Sequence, residues 1–294
     1  MTTNSSIDKS SNSTAQQVRT VYTVDCVGSS LRLGSAAVSP LEDFRAALFL
    51  PLHAPDPISA ASSKLQAAIA NPVHELEKKL IFLSERGKLR SAEFLIGSTT
   101  DPFHPYKDRF NLTLKLLKLF ERFTPARVII QTRSPLVVLG LPTLKKLGEH
   151  VSVALVLETC SEESVAQYTP EFPKVRERLN AAAALRHLGV AVDLHVAPLL
   201  PYGDLVEDAG FFARQLVKNS RSILVLPFNF CDQVPGRASH HLVVESLQRD
   251  GKAEWLRADA AQPLMAELKR LAPEKLGSTG GKQLVAKQTE LFAA

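Results

Sequence analysis

Apolar positions along the chain occur either in short continuous runs or in longer stretches with helical spacing. The clearest case is EFLIGSTTDPFHP, residues 93–105, where an apolar run meets Gly97 and then a polar cluster. Pro102 and Pro105 prevent this cluster from continuing as a strand or a helix. Residues 110–123 then place their apolar side chains on one broad helical face. The pattern predicts a buried strand, a rigid polar turn and a helix.

The same order recurs through most of the chain. Strands are predicted at residues 18–27, 94–97, 127–132, 151–159, 190–200 and 222–228. Helices are predicted at residues 73–85, 108–123, 136–149, 173–188, 205–218, 237–250 and 263–271, with short ones at 41–50 and 63–69 in a stretch of mixed pattern. Near-continuous apolar strands alternating with helices are typical of parallel sheets covered by helices. The sequence therefore predicts an α/β fold, a full or partial barrel of βα units first and an open doubly wound sheet second.

The two ends of the chain differ from this regular middle. Residues 1–17 are mostly Ser, Thr, Asn and Gln, so they bury too little apolar surface to offset the entropy of ordering. We expect a disordered tail at 1–17, a barrel with C-terminal helices at 18–272, and a flexible tail at 273–294.

Composition and charge narrow the function classes only a little. The 294 residues are 45% hydrophobic and 22% charged, which is ordinary for a globular protein. The net charge of +5 leaves nucleic acid open as a partner, but the Lys and Arg residues are spread along the sequence, so a solvated basic surface explains it equally well. Membrane-length apolar runs and a signal-like N-terminal core are both missing, which predicts a cytoplasmic protein with no membrane partner.

Polar side chains gather where the predicted strands end. Ligands of parallel α/β folds bind at the carboxyl edge of the sheet. The candidate binding residues there are Ser98, Thr100, Asp101, Arg133, Ser134, Glu158 and His195. Alternation along the strands also predicts a polar, charged interior, formed by Gln131, Arg133, Glu158, Asp193 and His195 opposite the apolar face. Structural roles remain open, with Asp101 capping a turn and Arg133 pairing with Glu158.

Four segments in order give the chain a family resemblance. They are GSTTDPFHP, TRSPL at 132–136, the helix at 173–190 with Arg178 and Leu179, and VAPLLP at 196–201. Over residues 72–230 the chain resembles the spore photoproduct lyase and DNA-repair-lyase branch of the radical S-adenosylmethionine enzymes. The resemblance implies a partial (βα)6 TIM-like barrel that binds S-adenosylmethionine. It also implies that the turns carrying Asp101 and Arg133 meet the methionine and ribose parts of that cofactor.

The cysteines depart from the family pattern. These enzymes use three closely spaced cysteines after the first strand to hold an iron–sulfur cluster. Here that stretch contains Cys26 alone, and Cys160 and Cys231 lie far along the chain. The sequence thus predicts no bound metal and no cluster of the usual kind. Two alternatives remain for the three cysteines. One is an improvised cluster site built from all three thiols, and the other is that they are small buried hydrophobic side chains.

Other positions depart as well. Val156 stands where the family usually has a cofactor-facing serine, and Lys107 stands where a glutamate is usual. Phe103 and His104 replace a tyrosine and a glutamine. These changes favour a remnant of a cofactor site over a working enzyme.

The last eight residues, KQTELFAA, resemble the peptide by which bacterial repair and replication proteins bind the DNA sliding clamp. In such a peptide Gln288 would hydrogen-bond at the rim of a pocket that Leu291 and Phe292 fill. The Gly-rich segment at 277–282 would supply reach. A final hydrophobic turn packed on the domain is the alternative.

Together these features give one leading hypothesis and two alternatives. The leading hypothesis is a non-catalytic accessory factor in DNA damage handling, bound to the sliding clamp through its tail, with DNA or other repair proteins as further partners. The first alternative is an active radical enzyme that repairs pyrimidine photolesions with an iron–sulfur cluster. The second is a cluster-free barrel that binds another small molecule through Arg133, Glu158 and His195.

Overall fold

A single sheet organises the described residues of the computed structural model, which are 19–27, 30–38, 71–98, 100–105, 107–228 and 241–276. Its strands are β1 (Arg19–Val27), β2 (Ser30–Val38), β3 (Glu93–Ile96), β4 (Arg127–Thr132), β5 (Val151–Val156), β6 (Ala191–Val196) and β7 (Ser222–Val225). The helices are α1 (Pro72–Glu85), α2 (Lys107–Arg122), α3 (Leu141–Leu147), α4 (Glu162–Tyr168), α5 (Val175–His187), α6 (Ala209–Asn219), α7 (His241–Arg249) and α8 (Gln262–Leu271).

The strand order decides between the two predicted architectures. The sheet runs β2-β1-β3-β4-β5-β6-β7, so every strand after β2 lies beside its neighbour in the chain. Strands β1 and β3 to β7 are parallel, and β2 pairs antiparallel with β1 at the edge. A doubly wound sheet would reverse its order in the middle. The α/β prediction is confirmed, and the sequential order is that of a partial barrel of βα units.

One face of the sheet packs against the helices. Phe94, Ile130 and Leu194 are fully buried and join the main core with Leu117 and Phe120 of α2. The rings of Phe94 and Phe120 meet edge to face with centroids 5.0 Å apart. Each such side chain contributes about 1.5–3 kcal/mol through burial, so this layer dominates the stability of the fold.

The other face is partly polar, as alternation along the strands predicts. Leu95, Ile129 and Ala154 form a small apolar cluster there. On the same face, closer to the amino ends of the strands, the buried carboxylate of Asp193 accepts hydrogen bonds from Arg221 Nη2 at 2.7 Å and Ser222 Oγ at 2.6 Å. Asp193 thus belongs to a structural ion pair at the amino end of β6.

Several predicted boundaries are wrong. The helix predicted at 136–149 is a 3-10 segment, Pro135–Gly140, followed by the short α3, because Gly140 and Pro142 interrupt a regular helix. The strands predicted at 151–159 and 190–200 end at Val156 and Val196. Helix α4 and strand β2 were not predicted. The two short helices at 41–50 and 63–69 fall outside the described residues.

Membrane crossing can be judged for the described helices. None of them combines the length and the apolar composition that a bilayer-spanning segment needs.

Candidate functional site

The carboxyl ends of β1 and β3 are joined by a buried hydrogen bond. Ser98 Oγ donates to Asp25 Oδ2 at 2.6 Å, and both side chains are buried. Parallel pairing of β1 with β3 brings these two strand ends side by side. Ser98 and Thr100 are both buried at this edge, as the strand-end argument expects, and the Ser98 hydroxyl is used within the chain.

Asp101 fastens the turn after β3 to the end of β4. Its Oδ1 accepts from the Phe103 backbone N–H at 2.9 Å and from Thr132 Oγ1 at 2.6 Å. Its Oδ2 accepts from the Arg133 backbone N–H at 2.8 Å. A carboxylate with these contacts closes an Asx turn and fixes the distance between two strand ends.

Gly97 makes that close approach possible. Its φ is +90°, which a residue with a side chain rarely adopts. A Cβ at this position would lie 2.4 Å from the Gln131 carbonyl oxygen and 2.6 Å from Pro102 Cδ. The turn and β4 therefore touch only because residue 97 has no side chain.

Glu158 lies between two arginines at the end of β5. Its Oε1 accepts from Arg133 Nε at 2.5 Å, and its Oε2 accepts from Arg178 Nη1 at 2.7 Å. Arg178 Nη1 also donates to the Val156 carbonyl at 2.9 Å. Glu158 and Arg178 are completely buried. We call these three residues the buried triad.

The charges of the buried triad set the state of its carboxylate. Burial alone would raise the pKa of Glu158, but Arg133 and Arg178 together hold it below its usual range. Glu158 is therefore ionised at neutral pH and does not serve as a general acid. With two arginines and one glutamate, the triad has a net charge of +1. Arg178 Nε and Nη2 have no hydrogen-bond partner among the described residues.

His195 lies near the carboxyl end of β6, where it pairs with Val156 and its carbonyl oxygen accepts from the Leu157 N–H at 2.8 Å. It is nearly fully buried, and burial lowers its pKa to about 4, so the ring is neutral at physiological pH. Its Nδ1 has no hydrogen-bond partner among the described residues, and the same holds for Gln131 Oε1 on β4. No described hydrogen bond connects His195 to Arg133 or Glu158.

Ser134 has a local role. Its Oγ accepts from the Leu136 backbone N–H at 3.3 Å and so begins the 3-10 segment after β4. The structure thus brings all seven predicted residues to the carboxyl edge of the sheet: Ser98, Thr100, Asp101, Arg133, Ser134, Glu158 and His195.

The cysteines can be placed only in part. Cys160 is free and partly buried after β5, and burial raises the pKa of its thiol to about 12, which disfavours the thiolate that binds iron. Cys231 and the side chain of Cys26 fall outside the described residues. Among the residues described, no group of three or more His, Cys, Asp or Glu side chains is arranged to hold a metal ion. The predicted absence of a cluster stays a prediction.

S-adenosylmethionine needs acceptors for its ammonium and ribose groups and a cation for its carboxylate. At this edge the acceptors of Asp101 are taken by three internal hydrogen bonds, and those of Glu158 by two arginines. Arg133 is occupied by Glu158 and stacks on the Phe172 ring, 4.5 Å from its centroid. Asp101, Glu158 and Arg133 are thus engaged with each other or with backbone, whereas Arg178 Nε and Nη2, Gln131 Oε1 and His195 Nδ1 are buried without a hydrogen-bond partner among the described residues.

Two members of this edge were not among the predicted site residues. Arg178 lies on the buried stripe of α5 with Val175, Ala182 and Leu185. A charged residue at that position of an amphipathic helix signals a buried ion pair. Asp25 ends a strand as the others do, but its partner becomes visible only when β1 is paired with β3.

No family model matches the sequence. An uncharacterized protein, ORF301 of Acidianus two-tailed virus, is 29% identical over 170 residues, which is 57% of this chain and 52% of the viral protein. The chain thus matches about half the length of that relative.

Among solved structures, the comparisons include mutants of spore photoproduct lyase. One mutant, with bound AdoMet and dinucleoside spore photoproduct, has a TM-score of 0.48 and 14% identity over 73% of this chain and 70% of that chain. A cysteine-to-serine mutant has a TM-score of 0.48 and 14% identity over 69% of this chain and 65% of the other.

Proposed function

We propose that the chain is a non-catalytic relative of the radical S-adenosylmethionine enzymes that serves as an accessory factor in DNA damage handling. It acts by binding, with the sliding clamp as one partner and DNA or other repair proteins as further ones. The single observation that carries the non-catalytic part is the buried triad, because it occupies the groups that the resemblance assigns to the cofactor.

The buried triad supports this reading through its energetics. An arginine that is to bind a cofactor carboxylate must be available at the moment of binding. Glu158 already holds Arg133 Nε, so a cofactor carboxylate would have to share this guanidinium with a buried counter-charge, and separating the two would cost several kcal/mol. An ion pair that is only structural stays closed, so this cost does not arise and the sheet edge remains rigid.

The clamp part of the proposal comes from the C-terminal sequence. Gln288, Leu291 and Phe292 have the donor and apolar groups of a short pocket-filling peptide, and they follow a Gly-rich segment. These residues lie outside the described part of the chain, so the support is the sequence pattern and the family resemblance.

Replacing Leu291 and Phe292 by alanine together is expected to weaken clamp binding by at least 30-fold, since buried apolar anchors of such peptides each contribute about 2 kcal/mol. Surface plasmon resonance with immobilised clamp measures the affinity. The matched control replaces Thr289 and Glu290, which flank the anchors, and is expected to bind within about threefold of the unaltered chain. Equal affinity for all three proteins would contradict clamp binding through this tail.

Anaerobic reconstitution with iron and sulfide tests the non-catalytic part. We expect no stoichiometric iron and sulfide, no cluster absorption band, and no 5′-deoxyadenosine when S-adenosylmethionine and a reductant are added. The control is a Cys26→Ala variant, which is expected to behave identically. A visible cluster band that disappears in Cys26→Ala would refute the proposal and make the chain an enzyme.

A further inference from the structure

The cations of this protein are unevenly distributed along the chain. Residues 71–150 contain 14 Lys and Arg against 8 Asp and Glu, a net charge of +6, whereas residues 151–276 contain 14 against 16, a net charge of −2. The first range includes α1, α2 and α3, which are consecutive neighbours in the fold. Helices α2 and α3 together carry seven Lys and Arg against two Asp and Glu, whereas α1 carries two against three, so the positive excess lies on α2 and α3.

Two ion pairs tie the surfaces of these helices together. Arg122 Nη1 of α2 lies 2.8 Å from Glu77 Oε1 of α1, and Lys146 Nζ of α3 lies 3.1 Å from Glu121 Oε2 of α2. Such bridges place the outward-facing side chains of the three helices on one continuous face.

Helix α2 carries the centre of that face. Its exposed positions are Asn111, Lys115, Lys118 and Arg122, which are spaced four, three and four residues apart and so form one stripe. Lys115, Lys118 and the exposed Lys145 on α3 are not held in a direct salt bridge among the described residues, although Lys118 lies close enough to Glu121 to help lower the pKa of its carboxyl group. We call Lys115, Lys118 and Lys145 the basic face.

Helix-dipole compensation does not explain all of these cations. Basic residues in the last turn of a helix are favourable near its negative end, which accounts for Arg122 and Lys145. Lys115 lies two turns before the end of α2, where that effect has faded. Its exposed ammonium group is available to a polyanionic partner.

An exposed aromatic group with two cations of its own lies on α1, on the flank where Lys79 Nζ also lies over the Tyr22 ring of β1. Phe82 of α1 is 42% exposed, and the Arg86 guanidinium stacks on its ring, 4.1 Å from the centroid. Lys79 Nζ lies 5.6 Å from the same centroid. An exposed ring with flanking cations is the combination on which unpaired bases stack while their phosphates are neutralised.

We propose that the outer surface of α1, α2 and α3 binds the phosphate backbone of single-stranded nucleic acid, with Phe82 as a stacking position. This deepens the proposed accessory function by assigning a DNA-binding surface, but it does not depend on the clamp-binding tail. An anionic membrane surface is less well matched, because the cations are spread over three helices and only Ile81 and Phe82 offer exposed apolar groups beside them on α1.

The test measures fluorescence anisotropy of a labelled 30-nucleotide single strand from 50 to 200 mM NaCl. A triple variant, Lys115→Gln, Lys118→Gln and Lys145→Gln, is expected to bind at least tenfold more weakly. Its plot of log affinity against log salt concentration is expected to be shallower by about 2, because three phosphate contacts are lost. The matched control, Lys174→Gln, Lys218→Gln and Lys269→Gln, removes three exposed lysines from elsewhere and is expected to stay within about twofold.

The outcomes separate this proposal from its competitors. Equal losses in the two triple variants would show that net charge alone is responsible and would overturn it. No binding by the unaltered chain, tighter binding to a matched duplex, or binding to phosphatidylserine vesicles but not to DNA would also overturn it. The triple variant is expected to keep full affinity for the clamp, and the Leu291 and Phe292 double variant to keep full affinity for DNA, so failure of one proposal is distinguishable from failure of the other.

Discussion

Glu158→Gln is expected to lower the free energy of unfolding by about 3–5 kcal/mol, because it leaves two buried guanidinium groups without a counter-charge. The glutamine has nearly the same shape, so the loss reports charge and not packing. Urea denaturation at pH 7, followed by circular dichroism, measures it. The matched control is Glu75→Gln, which removes the exposed Lys78 ion pair and is expected to cost at most about 0.5 kcal/mol.

The stability difference between the unaltered chain and Glu158→Gln is expected to depend on pH. The pKa of Glu158 is lower in the folded state than its ordinary value of 4.5, so its ionisation stabilises the protein above about pH 4.5. That contribution is lost as the pH falls below 4.5 toward the folded-state pKa. The difference between the unaltered chain and Glu158→Gln is therefore expected to be constant from pH 7 to pH 5.5 and to shrink below pH 4.5. A difference independent of pH would contradict the ionised state assigned to this carboxyl group.

Gly97→Ala is expected to destabilise the protein by about 3 kcal/mol or more. The substitution combines an unfavourable positive φ with a Cβ that would lie 2.4 Å from the Gln131 carbonyl oxygen, so backbone must move. The measurement is the midpoint of denaturation compared with that of the unaltered chain.

The chain offers a control that separates the two causes. Gly87 also has a positive φ, +65°, but an added Cβ there meets nothing within 4 Å. Gly87→Ala is expected to cost only about 1 kcal/mol, the penalty for the backbone conformation alone. Equal losses at both positions would show that the turn after β3 is not held against β4 as tightly as the structure indicates.

The sequence predicted the parallel α/β fold because its strands are short apolar runs, and its helices have one apolar face. β2 was missed because SLRLGSAAV is rich in small residues and lacks the β-branched runs of the other strands. The seven residues of α4 were missed because their polar sequence has little apolar periodicity, although Ser161 caps the helix by accepting from the Ser164 N–H.

For the candidate site, residue types and strand ends were enough to select the edge, since parallel strands bring their carboxyl ends together. The contacts that these side chains make with each other were harder to predict. Pairing of Arg133 with Glu158 was one of the alternatives read from the sequence, whereas Arg178 reaches the same carboxylate from α5, 20 residues further along the chain. Contacts of this kind depend on how a helix docks on the sheet, which a local pattern does not encode. The role of this edge in binding a cofactor stays a prediction.

The order of strands has a consequence for biosynthesis. From β4 to β7 each strand pairs with the strand completed just before it, so a nascent chain can add βα units one after another to an existing edge. At every stage the edges of the growing sheet are β2 and the newest strand, which present unpaired backbone groups to other chains. Ribosome-bound fragments that stop after α5 are therefore expected to protect β3 to β5 from amide exchange before β6 has been translated.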